Sequence, residues 1–378
     1  MSASLKEIAL VFGKLGVVGF GGPAAHIGMM EDEVINRKQW LDRGHFLDLV
    51  GATNLIPGPN STEIAIMLGY VIRGYPGLII AGVSFIFPAV LITGILAFIY
   101  QNFGSLPEIN PLLTGIKPIV ITIIINALWK LGKKALKSWQ LVIIGLIVVG
   151  LVVWGVNEII ALLLGGIIGM FWLGRFSGTL FSSAMIFLLN TNPSTPADSP
   201  KLWQLGLFFL KIGSVLFGSG YVLVAFLEGE LVNNYQWLTQ QQLLDAIAIG
   251  QLTPGPVLST ATFIGYIILG VPGAIVATVG IFLPSFILVL LLKPIIPKLR
   301  NSRLTSGFLD AVNVSAVALM VVVIYRLGIA TLSEPWGNFS FNLPGLGLII
   351  LSGFLLLRYK VSTPILVLMG GLLGIFIY

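Results

Sequence analysis

No cysteine occurs among the 378 residues, and histidine appears twice, as His26 and His45. Thiol redox chemistry and cysteine-ligated metals or clusters are excluded, and a dedicated metal site has too few of its usual ligands. Charge is scarce too, at 10% of residues against 56% hydrophobic, with a mean hydropathy of +1.00. Such a chain cannot surround one core with a water-soluble surface; it reads as an integral membrane protein. Nucleotide and haem motifs are lacking, which argues against a membrane oxidoreductase. The first ten residues carry neither a basic n-region nor a small-residue cleavage site, so the N-terminus is expected to be retained. The net charge of +6 suits cytoplasmic loops rich in Lys and Arg and does not speak for nucleic acid.

What the chain does have is proline in apolar text. Pro57-Gly58-Pro59 breaks one hydrophobic stretch and Pro254-Gly255-Pro256 breaks another. Prolines remove backbone donors and bar the preceding residue from helical geometry, so a helix stops and restarts at each. Inside a bilayer such a break is tolerated only where the freed groups are buried in protein or line a watery cavity.

The two breaks belong to a duplication. An offset of 197 residues pairs Lys14 with Lys211, Glu31 with Glu228, Asp48 with Asp245 and the two Pro-Gly-Pro segments. After one deletion an offset of 196 pairs Gly69 with Gly265 and Leu131 with Leu327. Each module reads as six apolar elements, at 8–30, 46–70, 78–100, 112–131, 141–156 and 159–173, then 205–227, 243–268, 274–292, 304–327, 343–357 and 364–378. The expected organisation is a first repeat at 1–189, a Pro/Ser/Thr-rich linker at 190–202 and a second repeat at 203–378.

Loop charge sets orientation. Lys130, Lys133, Lys134 and Lys137 mark a cytoplasmic loop after the fourth element of the first module. In the second module the positive loops are the neighbours of the matching one, so the second repeat is expected upside down. Inversion needs an odd number of crossings. The expected fold is therefore an all-α polytopic membrane protein of two inverted repeats, each with about five crossings, a broken first helix and a re-entrant Pro-Gly-Pro hairpin. Inverted repeats with interrupted helices characterise secondary transporters.

Candidate residues follow from that frame. Lys14 and Lys211 are intramembrane cations at equivalent positions, able to attract an anion or to neutralise a nearby acid. Gly21, Gly22 and Pro23, with Gly218 and Ser219 in the second copy, form a second break, where glycine permits close approach and a restarting helix aims free amides at an anion. Close helix packing is the competing reading. His26 either binds an oxyanion, takes up a coupling proton or is a structural hydrogen-bonding residue. Asn54 and Gln251 precede the Pro-Gly-Pro breaks, and Asn60 and Ser61 follow the first; their donors suit an oxyanion or the broken backbone. Glu31, Asp48, Glu63, Glu228 and Asp245 are candidates for gating or coupling, with structural ion pairs as the alternative. The polar supply is richer after the first break, which suggests one dominant site built mostly from the first module.

Phe20-Gly-Gly-Pro-Ala-Ala-His26 followed by Glu31 and Pro57-Gly-Pro59, with a diverged second copy, resembles the chromate ion transporter family in its two-module form. The resemblance implies an inner-membrane, multi-pass carrier that exports chromate and confers chromate resistance, with sulfate as a related substrate; the matching motifs here are its functional regions. The second copy departs from the motif at Ser219, Gly220, Tyr221 and Leu223. No cofactor, metal or catalytic residue is expected. A homodimer is a common arrangement for such carriers. The alternative is a proton- or cation-coupled carrier of another small ion that uses Asp48, Glu63 and Asp245.

Overall fold

The computed structural model describes residues 3–20, 22–104, 106–174, 200–217, 220–292, 302–333 and 341–378. Gly21, Gly218, Ser219 and nearly all of the expected linker lie outside the described residues. The described chain is helical, without strands, as a membrane-embedded backbone requires.

The helices of the first half are α1 (Leu5–Val18), α2 (Pro23–Glu31, continued by a π-helical stretch, Asp32–Arg37), α3 (Arg43–Thr53), α4 (Asn60–Phe103), α5 (Asn110–Ala135), α6 (Trp139–Val153) and α7 (Glu158–Gly174). The second half matches them one for one. It has α8 (Leu202–Val215), α9 (Leu223–Phe226, continued by Leu227–Asn234), α10 (Gln240–Leu252), α11 (Thr260–Leu292), α12 (Arg303–Leu332), α13 (Leu343–Arg358) and α14 (Thr363–Ile377). Unusual backbone recurs at matched positions: Gln39 and Gln236, Gly58 and Gly255, and Gly74 and Gly270 all have positive φ. Asn60–Phe103, Asn110–Ala135, Val257–Leu291 and Leu304–Leu332 are long and apolar enough to cross a membrane.

α4 is not one rod. Arg73 and Gly74, at φ −142° and +64°, interrupt it. Gly69 lies against Gly77 and Ala81, and Gly82 against Ile66. On a continuous helix Gly69 and Gly77 would be about 12 Å apart, so the arms 60–72 and 75–103 fold back on each other. Thirteen residues rise about 20 Å, short of the roughly 30 Å hydrocarbon core, so the arm 60–72 is a half-span. α11 repeats the turn at Leu269 and Gly270, with Gly265 against Gly273. The expected separation of the 46–70 and 78–100 elements is this turn.

The first element also doubles back. Lys14 on α1 pairs with Glu33 beyond α2 at 3.3 Å, and Glu7 at the start of α1 lies within electrostatic reach of Lys38. A straight run would hold residues 14 and 33 nearly 30 Å apart. Lys211 and Glu230 repeat the pair. Each half therefore has two folded-back elements, where one re-entrant hairpin was expected. The odd crossing count no longer follows from the described residues.

Helix packing exchanges partners between halves. α14 packs on α5, and α7 on α12; α13 lies against α5 and α6 against α12. Small residues permit the approach: Gly115 meets Gly370 and Gly374, while Gly165 and Gly169 meet Ser315 and Ala311. In lipid no hydrophobic drive joins helices, so close packing and interhelical hydrogen bonds of about 0.6 kcal/mol each do that work. The outward faces of α4 and α11 are correspondingly apolar, with Phe87, Leu91, Val271 and Ile275 all exposed.

Candidate functional site

A Pro-Gly-Pro segment has one backbone N–H in three residues, that of glycine. Here each is donated to the first break of the other half. Gly58 N–H donates to the Leu216 carbonyl at 2.6 Å and Gly255 N–H to the Gly19 carbonyl at 2.7 Å. Leu216 and Gly19 are equivalent repeat positions, so the two bonds are reciprocal and draw four breaks to one place. Only glycine fits there: Gly58 and Gly255 sit at φ +140° and +87°, and a Cβ would strike Glu63 at the first and Ala89 at the second.

A small cavity of about 40 Å³ lies among these breaks, lined by Pro23, His26, Pro59, Asn60 and Ser61 from one half and Gly220, Tyr221, Pro256, Val257 and Leu258 from the other. The contributions are equal, where a site built mostly from the first module was expected. Four helical segments begin at this wall, at residues 23, 60, 220 and 257. Their free first-turn N–H groups and positive dipole ends favour an anion. No acidic side chain is among the described lining residues.

His26 is 2% exposed. Its Nε2 lies 3.0 Å from the Gly19 carbonyl, which can only accept, so Nε2 carries the hydrogen. Nδ1 is buried with no partner. The ring stands edge-on to Phe85 at 5.5 Å between centroids. Across the cavity Tyr221 donates its hydroxyl to Gln251 Oε1 at 3.2 Å, leaving the Gln251 amide nitrogen buried and without an acceptor. Asn60 donates to Asn54 Oδ1 at 2.7 Å, and Asn54 in turn to the Val50 carbonyl. Asn54 thus stands behind the lining. Gly22 caps α2 at φ +80°, and Pro57 and Pro254 precede the glycines without being among the described lining residues.

The remaining candidates sit further off. Lys14 pairs with Glu33 and Lys211 with Glu230, both at 3.3 Å, with each lysine about half exposed; neither lines the cavity. The acids that neutralise them, Glu33 and Glu230, lie two residues beyond the duplicated Glu31 and Glu228. Glu31 binds Arg43 at 3.0 Å. Glu228 binds Arg326 at 2.9 Å, beside Glu158 and Glu230 in a buried polar cluster that sequence reading did not assemble. Asp245 is buried and accepts from Tyr100 at 2.7 Å, whereas Asp48 is exposed. Glu63 is fully buried in the first turn of α4, beside Gly58 and Ser285, and neither carboxylate oxygen has a partner. Tyr221 and Lys117, the latter 3% exposed inside α5, were passed over. The signal for Lys117, a lysine within an apolar run, was present in the sequence.

Fold and site together define a two-module helical membrane protein whose interrupted helices close on an anion-favouring cavity. The chain belongs to the chromate transporter family, which matches residues 6–170 and 203–375. It is 33% identical to the chromate transport protein of Cupriavidus metallidurans over 99% of this chain and 94% of the relative. It is 31% identical to a probable chromate transport protein of Synechococcus elongatus, over 98% and 95%. A chromate transport protein of Pseudomonas aeruginosa matches at 27% over 98% and 92%. No solved structure matches the chain.

Proposed function

We propose that this chain is a secondary transporter of a tetrahedral oxyanion, with chromate as its main substrate and sulfate as a related one, carrying it outward across the inner membrane. The observation that carries the reading is the convergence of four helix starts on a cavity with no acidic side chain among its described lining residues. Chromate and sulfate are both tetrahedral dianions, so donors placed for one suit the other. Lys14 and Lys211 act at longer range, lifting the potential around the breaks while their glutamates hold them.

Inversion of the repeats is supported by how the halves meet. Lys137, after α5, binds Asp310 near the start of α12, and Glu158, at the start of α7, lies near Arg326 toward the end of α12. Gly82 meets Phe286 instead of its own equivalent, Thr278, as antiparallel arms require. The lysine-rich end of α5 is then cytoplasmic. Glu63, buried and unpartnered one turn from the cavity, favours a coupled carrier and is the coupling candidate among the acids.

Proteoliposomes loaded with labelled chromate or sulfate test the function. Gradient-driven flux of chromate, competed by sulfate, is expected; no movement of either anion overturns it.

A further inference from the structure

Beside the central cavity lies a second, of about 230 Å³, whose walls include Asn54, Asn60, Lys134, Lys137, Asp310 and Asn313. Asn60 lines both cavities, so its hydrogen bond to Asn54 forms the partition between them. Lys137 is held by Asp310 at 2.7 Å, while Lys134 is exposed and has no ion pair among the described residues.

The equivalent route in the other half is shut. Asn54 is exposed, but its counterpart Gln251 is 7% exposed. Asn313 and Val317 are half-buried, whereas their counterparts Lys117 and Ile121 are each 3% exposed. Leu131 is half-buried and Leu327 fully buried. The helix packing supplies the reason. α10 lies against α5 and α14, but its counterpart α3 makes no comparable contact with α12 or α7. Asp245 on α10 is tied to Tyr100 in the closed half, and Asp48 on α3 is exposed.

We propose that the 230 Å³ vestibule is the path by which the oxyanion reaches the central cavity, with Lys134 as its first cationic contact, and that the protein stands open on this side only. The inference rests on the oxyanion-carrier reading above. In the opposite state α3 closes onto α12 while α10 lifts from α5, and Lys117 is uncovered where Asn313 stands now. An unpaired ammonium in a polar recess raises the local concentration of a dianion and so its rate of arrival. Entry of the anion from the vestibule to the central cavity requires the Asn54–Asn60 pair to part, and opening of the other side requires the Tyr100–Asp245 bond to break.

The cysteine-free chain makes the test direct, since single-cysteine variants have no background. Val317→Cys and Ile121→Cys occupy equivalent positions on the open and closed routes. In transporting protein of known orientation, a membrane-impermeant thiol reagent is expected to modify V317C from the Lys137 face at least about tenfold faster than I121C. Chromate on both sides should make I121C reactive from the opposite face only, and Y100F should raise its rate several-fold without substrate. If I121C does not fold, Thr331→Cys, at a position 2% exposed and equivalent to Ala135 of the vestibule wall, takes its place. K134Q should raise the KM for chromate several-fold, leave kcat unchanged and flatten the salt dependence. Modification of both cysteines from one face, a closed-route cysteine that never reacts in protein that transports, or an unmoved KM would overturn the proposal. A wild-type protein that moves no oxyanion would overturn the carrier reading instead, and the labelling asymmetry at rest would separate the two failures.

Discussion

Glu63 concentrates the chemistry of the site in one side chain. An unpartnered carboxylate in a protein interior is costly if ionised, and the hydroxyl of Ser285 beside it is likewise unpartnered. A neutral amide of the same shape removes that cost, so Glu63→Gln is expected to match or exceed the wild type in thermal unfolding. If the carboxyl couples transport, the same variant should keep its chromate affinity but move the ion at least about tenfold more slowly, a barrier increase of about 1.4 kcal/mol. The two lysines separate differently. Lys211→Ala leaves Glu230 buried with amide partners alone, and a loss of roughly 1–3 kcal/mol follows, nearer the low end because Lys211 is half exposed. Lys14→Ala should cost less, since Arg37 remains 3.6 Å from Glu33. Equal shifts in the unfolding midpoint would contradict that ranking. At this scale the sequence was partly legible. Paired intramembrane lysines were visible, but which acid each would meet depended on a fold-back that spacing does not encode.

Among the elements, the breaks are defined by glycine. Gly58→Ala combines a disfavoured φ with a Cβ driven into Glu63, and a cost of about 1–3 kcal/mol is expected with loss of transport. Gly74→Ala meets nothing within 4 Å, so only the backbone strain of φ +64° with ψ −150°, a glycine region costing about 1–3 kcal/mol, applies and flux should survive. Comparing melting and flux for the two variants checks this. α3, which packs on α4 without a comparable contact to α12 or α7, is capped by Asp42, whose carboxylate is held below its usual range by the His45 backbone N–H. With its value depressed in the folded state, that cap is complete above the free carboxylate's pKa near 4 and is lost as pH falls through the lower folded value. Amide exchange at His45 should therefore quicken, relative to the α10 cap at Thr239, as pH drops below about 4. Pro-Gly-Pro was readable as a break because proline chemistry is local. The doubling back of α1 was not, because a glycine-rich gap permits a kink and a reversal alike. Tyr221 escaped notice because it entered the comparison only as a departure from the first copy.

At the level of the whole molecule, the duplication was plain in the text, and the described backbone repeats it down to matched positive-φ residues. The exchange of helices between halves was not legible, because one apolar face is much like another when lipid and protein offer similar contacts. The reciprocal bonds from Gly58 to Leu216 and from Gly255 to Gly19 have a consequence for how the protein is made. A ribosome delivers the first repeat to the membrane while its partner carbonyl at Leu216 has yet to be synthesised. Until then Gly58 has an unanswered donor in a low-dielectric setting, and the half-built chain must tolerate it or borrow a partner from water. The meeting point of the four breaks thus cannot close until the second repeat follows the first into the membrane, and the halves of a severed gene should regain it only when both are inserted into the same membrane.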